Sequence, residues 1–396
     1  MSTVAPQRTD SALYLFCAGF AALMLTMGLP PHRVWAMWAL PSYALVSLLG
    51  FLLSRYGQPS IRYVLLAAAT MGALVAPIVV LIGRSVAQPE VTVVERAGAR
   101  LIDLGSLYPS GAELVTEVQH WGYAAFFPYL PAMAAFGVPH ALADGSRWTD
   151  ARLAFGLMYV VCVVVVLTHV RGDRARLWLV LVASPVAALP LTTGGHDLPV
   201  IGLMLVALLL AVRNRAGYSG LAAGVAGAMK TIAWPLLPAL VAATWIRRGV
   251  RPALTSGAGG LAVSALILLP WIPDLDALIT HTVHFPAGMQ DDMNPNTSPL
   301  PGYLLTEYVP GGQVLALILL LASTAGIGAS LLLKPPRNEK QAAHRVALGL
   351  VLAALLLPAS RFGYLLCPLI LVLVPWDRVL SRDEHLKSIA QATSPR

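Results

Sequence analysis

The chain has 396 residues, of which 57% are hydrophobic and 12% are charged, and its mean hydropathy is +0.71. Soluble globular proteins carry about 25% charged residues, so this composition excludes a soluble globule, a disordered chain and a collagen-like rod. The net charge of +8 has to be interpreted from the positions of the charged residues. The composition predicts an all-α polytopic membrane protein.

Ten apolar runs follow one another along the chain. One membrane crossing needs roughly 20 apolar residues, so most of these runs are predicted to be single spans. Two of them are too long for one crossing and are interrupted by a cation, Lys230 in one and Arg361 in the other. The runs lie at about 11–29, 37–54, 63–83, 153–170, 177–193, 198–213, 219–246, 253–272, 311–333 and 346–376.

The flanking charges decide how the two long runs are interpreted. Arginines or lysines stand at both ends of each run, and such residues favour the cytoplasmic side of a membrane. Each run is therefore predicted to be a hairpin of two short helices. This gives about 12 membrane segments in a single domain, 1–396, with both termini in the cytoplasm and a cytoplasmic tail at 377–396. The positive charge is then a topology signal, and no nucleic-acid partner is expected.

Two segments on the predicted outer face are too long to be simple connections. Residues 84–152 form the first large outer loop, and residues 274–310 form the second. Long loops in compact proteins are uncommon and usually functional. The first contains a run of aromatic residues between Trp121 and Tyr129 that suits the membrane interface. Chemistry is therefore expected at the outer face.

Asp103 is the carboxylate in the first loop that the sequence favours as a general base. It stands in Leu101-Ile-Asp-Leu-Gly-Ser-Leu-Tyr108, where apolar neighbours would hold it near the bilayer surface. Partial desolvation raises the basicity of a carboxylate. The alternative is an ordinary solvated acid or a helix cap.

Lys230 and Arg361 lie at the predicted tips of the two hairpins. A cation inside an apolar stretch is costly and is usually functional or paired. The pair would suit the phosphate of an anionic lipid, although extension of the side chains to the headgroups is the alternative. His196 and Asp197, in a very short turn between two spans, either belong to the site or cap the next helix.

Three segments resemble glycosyltransferase family 87, whose members have the GT-C fold and use polyprenyl-phosphate sugars. The similarity is carried by Ile102–Tyr108 with Ser110–Glu113, by Trp121–Tyr123 with Phe127–Pro131, and by Thr193–Pro199 with Gly220–Lys230 and Trp234-Pro235. It extends over about residues 100–370. The resemblance implies a GT-C-like bundle with two short hairpins and two long outer loops.

The resemblance also implies residue roles. Asp103 takes the position of the catalytic aspartate, and Lys230 and Arg361 take those of the phosphate-binding cations. The remaining substrate-binding candidates are Tyr108, His196, Asp197, His284 and Tyr364. No metal is expected, because two fixed cations would already meet the leaving charge, and the histidines lack the spacing of a metal site. No other cofactor is expected.

We therefore expect an inverting hexosyltransferase at the outer face of a bacterial plasma membrane. It would move a sugar, most often mannose in this family, from a polyprenyl-phosphate donor to a lipid-linked glycan or glycolipid of the cell envelope. The alternative is a polytopic transporter or a lipid-linked-sugar flippase, since twelve segments are common among transporters. A protein that binds substrate without chemistry, as a scaffold for another transferase, also remains open.

Overall fold

The computed structural model describes residues 4–56, 58–289 and 298–380. All the regular elements in this part of the chain are helices, and it contains no strand apart from a single antiparallel bridge between Val170 and Val379. The prediction of an all-α protein is confirmed.

Four helices at the N-terminus pack around a second core, to which residues 179–189 also contribute. Helices α2 and α3 each begin at a proline, which suits the first turn because it has no N–H to satisfy. The Trp35 indole donates a hydrogen bond of 2.8 Å to the Ala73 carbonyl. The Tyr43 hydroxyl donates to the Ala183 carbonyl and so joins these helices to the rest of the chain. The helices are α1 Val4–Thr26, α2 Pro30–Leu53, α3 Pro59–Thr70 and α4 Ala76–Gly83.

Three helices occupy the segment 84–152, and the first two of them are amphipathic. Helix α5 ends at Gly105, whose φ of +64° is a left-handed conformation that glycine adopts without strain. Gly98 on α5 lies directly against Gly137, where an added Cβ would come within 2.2 Å of the backbone. This close approach fixes the position of α5 against the segment around Gly137. The helices are α5 Pro89–Leu104, α6 Gly111–Trp121 and α7 Val138–Leu142.

Helix α11 lies at the centre of the main core. It is apolar all round and buried on most of its surface, as expected for a helix surrounded by others. Helix α8 packs along it, and α9 and α10 precede it as a bent pair. The four helices are α8 Ala151–Thr168, α9 Arg174–Trp178, α10 Pro185–Thr193 and α11 Asp197–Val212.

Small residues bring helix α12 close to helix α14. A Cβ on Gly220 would lie 1.9 Å from the Ser256 carbonyl oxygen, and one on Gly224 would lie 2.3 Å from that of Gly260. The glycine-rich sequence of α12 thus sets its position, and with it the position of Lys230 immediately after it. The helices are α12 Ala216–Met229, α13 Leu236–Arg248, α14 Val250–Leu268 and α15 Leu275–Ile279.

The last helices complete the bundle. Helix α17 is long and apolar with little of its surface covered by the chain, which suits contact with lipid. Helices α18 and α19 pack together, and the chain between them carries Arg361. The helices are α16 Pro301–Tyr308, α17 Gly312–Leu333, α18 Glu339–Leu356 and α19 Leu366–Leu373.

Within the described residues, six helices are long and apolar enough to cross a membrane, or seven if the pair α9–α10, bent by 41°, forms one span. The protein is a membrane protein. Both long apolar runs are broken into two helices, one break at Lys230 and the other between α18 and α19. The expected number of about 12 segments stays a prediction, since helices such as α12 and α13 are short, with 14 and 13 residues. The six spans are Gln7–Thr26, Pro30–Tyr56, Pro59–Gly83, Arg147–Thr168, Val250–His284 and Gly312–Leu333.

The predicted boundaries of the two outer loops do not coincide with the ends of the helices. Helix Arg147–Thr168 begins inside the segment assigned to the first loop, and helix Val250–His284 runs well into the second. Part of the second loop, 290–297, and most of the tail, 381–396, lie outside the described residues. The division into loops stays a prediction.

Candidate functional site

A cavity of about 190 Å³ lies where α5, the start of α11 and the two helix breaks meet. The polar side chains that line it come from parts of the sequence far apart. One part of its wall is apolar and includes Ile232, Phe285, Leu350 of α18 and Leu357 immediately after that helix. Its polar and ionisable residues include Glu90, Tyr129, His196, Asp197, Lys230, Arg361 and Tyr364.

Lys230 is the first cation of this cavity. The chain leaves α12 at this residue in an extended conformation, with φ −157° and ψ 141°. The Lys230 ammonium donates to the Asp197 carboxylate and lies 2.9 Å from the Nε2 atom of His196. It also lies 5.4 Å from the ring centre of Tyr129 and 5.9 Å from that of Tyr364. Its side chain is only 12% exposed, so the cation is held inside the protein by a carboxylate and two aromatic faces.

His196 and Asp197 are placed by the short turn between α10 and α11. Gly194 has a φ of +123°, which glycine permits, and Gly195 packs against Pro190. The His196 side chain makes no capping hydrogen bond to α11, and its Nδ1 atom is buried without a partner among the described residues. Both side chains instead contact Lys230, so the geometry favours the site interpretation over the capping one.

Arg361 is the second cation, and its partner is Glu90. The two side chains are joined by an ion pair of 2.5 Å between Nη1 of Arg361 and Oε1 of Glu90. Burial of Glu90 acts to raise its pKa. The neighbouring His196 and Arg361 outweigh this effect, so the pKa of Glu90 lies below its ordinary value. Glu90 therefore carries a negative charge in the cavity at neutral pH.

Sequence reasoning missed Glu90. The signal was its position, because Pro89-Glu90 opens an amphipathic helix soon after a long apolar span. Prolines at the first helical position and acids in the first turn are common at helix starts, so the pair looks like a routine helix signal. Only the approach of Arg361, about 270 residues later in the chain, distinguishes it.

Asp103 lies outside this cavity. It is exposed in the last turn of α5 and lines a second cavity, of about 270 Å³, together with Arg96, Arg100 and Glu117. Asp103 stands 13 residues after Glu90 on the same helix, which separates the two by about 20 Å along the helix axis. The structure thus brings Lys230, His196, Asp197, Arg361 and Tyr364 together, but it does not bring Asp103 to them.

Tyr108 does not line this cavity but supports Tyr129, which does. Its ring is buried, and its hydroxyl donates a hydrogen bond of 2.9 Å to the Tyr129 carbonyl. Burial raises the pKa of the Tyr108 hydroxyl, which therefore stays protonated as a donor. His284 is half-buried at the end of helix Val250–His284 and is not among the residues that line the cavity.

His281, one turn before His284, joins two other segments of the chain through hydrogen bonds. The Phe127 amide donates to its Nδ1 atom at 2.9 Å, and its Nε2 atom lies 2.9 Å from the Pro109 carbonyl oxygen. Nε2 therefore carries the proton and donates it. The ring is fully buried between Tyr108 and Phe126. His281 is a structural anchor of the wall between the two cavities.

No group of three or more histidine, cysteine, aspartate or glutamate side chains that could hold a metal ion occurs in the part of the chain that the structure describes. The cavity instead combines two cations, two carboxylates and a histidine. Such a set can bind an anionic group through Lys230 and Arg361 and accept a proton on a carboxylate. The expectation that no metal is needed stays a prediction.

The model of glycosyltransferase family 87 matches residues 126–358, more than half of the chain. The chain belongs to glycosyltransferase family 87. It is therefore a glycosyltransferase, and the family predicted from the three resembling segments is confirmed. The matched region contains Tyr129, His196, Asp197 and Lys230, whereas Glu90 precedes it. No curated protein and no solved structure matches the chain.

Proposed function

We propose that this cavity binds a polyprenyl-phosphate sugar as the glycosyl donor. The observation that carries the proposal is the convergence of Lys230 and Arg361, about 130 residues apart in sequence, on one cavity with an apolar wall. The cations would bind the phosphate, and the wall formed by Ile232, Phe285 and α18 would accept the first part of the lipid chain. A charge-assisted hydrogen bond to phosphate is about twice as strong as a neutral one.

In the proposed reaction, the oxygen of an acceptor hydroxyl attacks the anomeric carbon of the donor sugar with inversion. The bond between that carbon and the phosphate oxygen breaks, and polyprenyl phosphate leaves with the electron pair. The hydroxyl proton passes to a carboxylate. Lys230 and Arg361 would stabilise the charge that grows on the phosphate, as fixed charges do in an oxyanion hole.

Two carboxylates compete for the role of general base. The resemblance assigns it to Asp103, whereas Glu90 lines the cavity that holds the two cations. We favour Glu90, because a donor phosphate that binds Arg361 would release the Glu90 carboxylate to accept a proton. Asp197 is less suited, since Lys230 and His196 both contact it and it stands in the first turn of α11, all of which stabilise its anion.

The finer assignment follows the family resemblance. We propose mannose as the sugar, a lipid-linked glycan or glycolipid as the acceptor, and the outer face of a bacterial plasma membrane as the place of transfer. The excess of arginine and lysine around the helix ends predicted to be cytoplasmic supports this orientation.

The test is transfer from labelled polyprenyl-phosphomannose to a membrane-lipid acceptor by the purified protein. An enzyme releases polyprenyl phosphate, whereas a transporter or flippase moves the donor lipid across a vesicle membrane without releasing it. If neither release nor sugar transfer occurs with mannosyl, glucosyl or arabinosyl donors, the donor class is wrong.

The same assay distinguishes the two carboxylates. Loss of a general base costs about 10²–10⁴ in rate, so Glu90→Gln should lower kcat by this factor. Asp103→Asn should retain most of kcat at saturating acceptor. Glu307→Gln, an exposed carboxylate on α16, is the matched control. The opposite result, with Asp103→Asn inactive and Glu90→Gln active, would return the role of base to Asp103.

A further inference from the structure

Arg152 is a buried cation that the proposed reaction does not use. It is the second residue of α8, and its side chain is only 1% exposed. It does not line the cavity that contains Lys230 and Arg361, which we call the donor cavity. Burial of a charged side chain costs much free energy unless the charge is paired and hydrogen-bonded. The partners of Arg152 therefore indicate what this residue does.

Each nitrogen of the Arg152 guanidinium has an acceptor. Nε and Nη2 donate to the two carboxylate oxygens of Asp150 at 2.9 and 2.6 Å, a paired geometry that arginine provides and lysine does not. The third nitrogen, Nη1, donates to two backbone carbonyls, that of Val86 at 2.8 Å and that of Thr192 at 3.2 Å. Asp150 thus balances the charge, and the remaining hydrogen bonds of the side chain join two segments of the chain.

The two segments that Arg152 joins lead to the two carboxylates of the donor cavity. Val86 stands four residues before Glu90, in the segment that runs into α5. Thr192 stands five residues before Asp197, at the end of α10 and just before the turn into α11. One buried side chain therefore fixes these two segments relative to each other.

The same two segments contact each other directly, at what we call the α5–α10 junction. The backbone amide of Gln88 donates to the Thr193 carbonyl at 2.8 Å. Gly194 packs so closely against α5 that an added Cβ would lie 2.3 Å from Cγ2 of Val91. The same position is 3.7 Å from Cγ of Arg152. Because the junction is closely packed, a change at Arg152 should alter the spacing of the two segments.

The spacing at the α5–α10 junction bears on the spacing inside the donor cavity. Glu90 pairs with Arg361, and Asp197 pairs with Lys230. A phosphate that contacts both cations needs each of them at a hydrogen-bond distance of about 2.7–2.9 Å from its oxygens. Binding groups have to be held within about 0.5 Å of the productive geometry. The junction therefore affects donor binding although Arg152 lies outside the cavity.

We propose that Arg152 is a positioning residue for the donor cavity, which fixes the distance between the two carboxylate–cation pairs without contacting the substrate. This proposal rests on the proposed function, in which Lys230 and Arg361 bind the donor phosphate. The alternative is that Arg152 only stabilises the fold. A loss of stability alone lowers the fraction of active protein, and with it the apparent kcat, but leaves the donor Kd of the folded protein unchanged.

Arg152→Lys separates these two roles. Lysine keeps the positive charge beside Asp150, but its one nitrogen cannot hold the carboxylate and both carbonyls together. Titration of the purified variant with polyprenyl-phosphomannose should show a donor Kd raised by about tenfold or more, the effect of losing one charge-assisted contact. In transfer assays, the KM for the donor should rise as well.

Tyr159→Phe is the matched control on the same helix. Tyr159 lies seven residues after Arg152, and its buried hydroxyl donates to the Leu181 carbonyl at 2.8 Å. The substitution removes a buried hydrogen bond to the α9–α10 pair without touching the α5–α10 junction. It should lower the unfolding temperature and leave the donor Kd unchanged.

Two valine variants keep the test decisive if Arg152→Lys does not fold. Val91 and Val163 are both buried in the main core, and truncation to alanine removes the same atoms from each. Val91→Ala deletes the contact with Gly194, whereas Val163 lies about 16 Å along the α8 axis from Arg152. Val91→Ala should weaken donor binding, and Val163→Ala should not.

The titration of Glu90 gives a readout that needs no ligand. Burial acts to raise the pKa of Glu90, and His196 and Arg361 outweigh this effect. Because His196 follows the turn that Arg152 holds, a looser junction should move the pKa of Glu90 upward in Arg152→Lys. Carbon-13 NMR of glutamate-labelled protein measures this pKa, with Glu90→Gln to assign the signal. Tyr159→Phe should leave the pKa unchanged.

Donor binding by the wild type separates this proposal from the proposed function. If the wild type binds the donor and Arg152→Lys binds it equally well, the positioning role is wrong while the proposed function stands. Equal donor Kd values for Val91→Ala and Val163→Ala, or a pKa of Glu90 that does not move in Arg152→Lys, would also overturn the positioning role. If the wild type does not bind the donor at all, the proposed function fails, and the titration of Glu90 alone decides whether Arg152 fixes the junction.

Discussion

Replacement of Lys230 should have two effects that a second substitution can separate. Lys230→Met removes the ammonium that contacts Asp197 and His196 and leaves the Asp197 carboxylate buried without its main partner. Breaking a buried ion pair by removing one partner costs about 3–5 kcal/mol. Asp197 keeps His196 at 3.3 Å and its place in the first turn of α11, so we expect the lower end of this range.

The loss of donor affinity has a different origin. If Lys230 binds the donor phosphate, Lys230→Met removes one charge-assisted contact, worth about 1.5–3 kcal/mol or about 10- to 100-fold in Kd. The double variant Lys230→Met/Asp197→Asn should regain stability, because no unpaired charge remains buried. It should not regain donor affinity. Lys230→Arg should retain more stability and more donor affinity than Lys230→Met does.

Thermal unfolding of the purified variants measures the stability effect, and titration with polyprenyl-phosphomannose measures donor binding. A double variant that regains donor affinity together with stability would show that Lys230 acts only through the fold. An unchanged donor Kd in Lys230→Met would refute the phosphate role of Lys230 directly. A Lys230→Met variant as stable as the wild type would refute the reasoning about the buried pair.

Three further predictions concern pH, packing and topology. Because the pKa of Glu90 is lowered in the folded protein, its contribution to stability is present above the ordinary glutamate pKa of about 4.3 and is lost as the pH falls through the lower native value. The difference in unfolding temperature between the wild type and Glu90→Gln should therefore shrink below about pH 4. Gly98→Val should destabilise by about 1–3 kcal/mol in thermal unfolding, because its Cβ meets neighbouring backbone, whereas Gly83→Val, with open space, should not. Arg147→Cys should react with an impermeant thiol reagent on intact cells, whereas Arg251→Cys should react only after permeabilisation. Both positions are exposed and the native cysteines are buried, so labelling reports on the introduced cysteine. The reverse labelling pattern would mean that the topology is inverted.

Composition and hydrophobic pattern by themselves determined the class of this protein. A chain with 12% charged residues cannot cover a water-facing surface, and apolar runs of about 20 residues can satisfy their backbone only as helices in a membrane. The interruptions at Lys230 and Arg361 were also visible in the sequence, because a cation inside an apolar run is rarely accidental. The structure places helix breaks at or near both residues.

The partners of these cations were decided by the tertiary structure. Asp197 contacts Lys230 because α12, brought close to α14 by its glycines, ends beside the start of α11. Glu90 pairs with Arg361 across most of the chain length, and no local pattern encodes such a contact. The sequence favoured Asp103 through its motif, yet the fold places that side chain about 20 Å along α5 from Glu90. A motif specifies residue types at a spacing, whereas the cavity they enter depends on helices that approach from elsewhere in the chain.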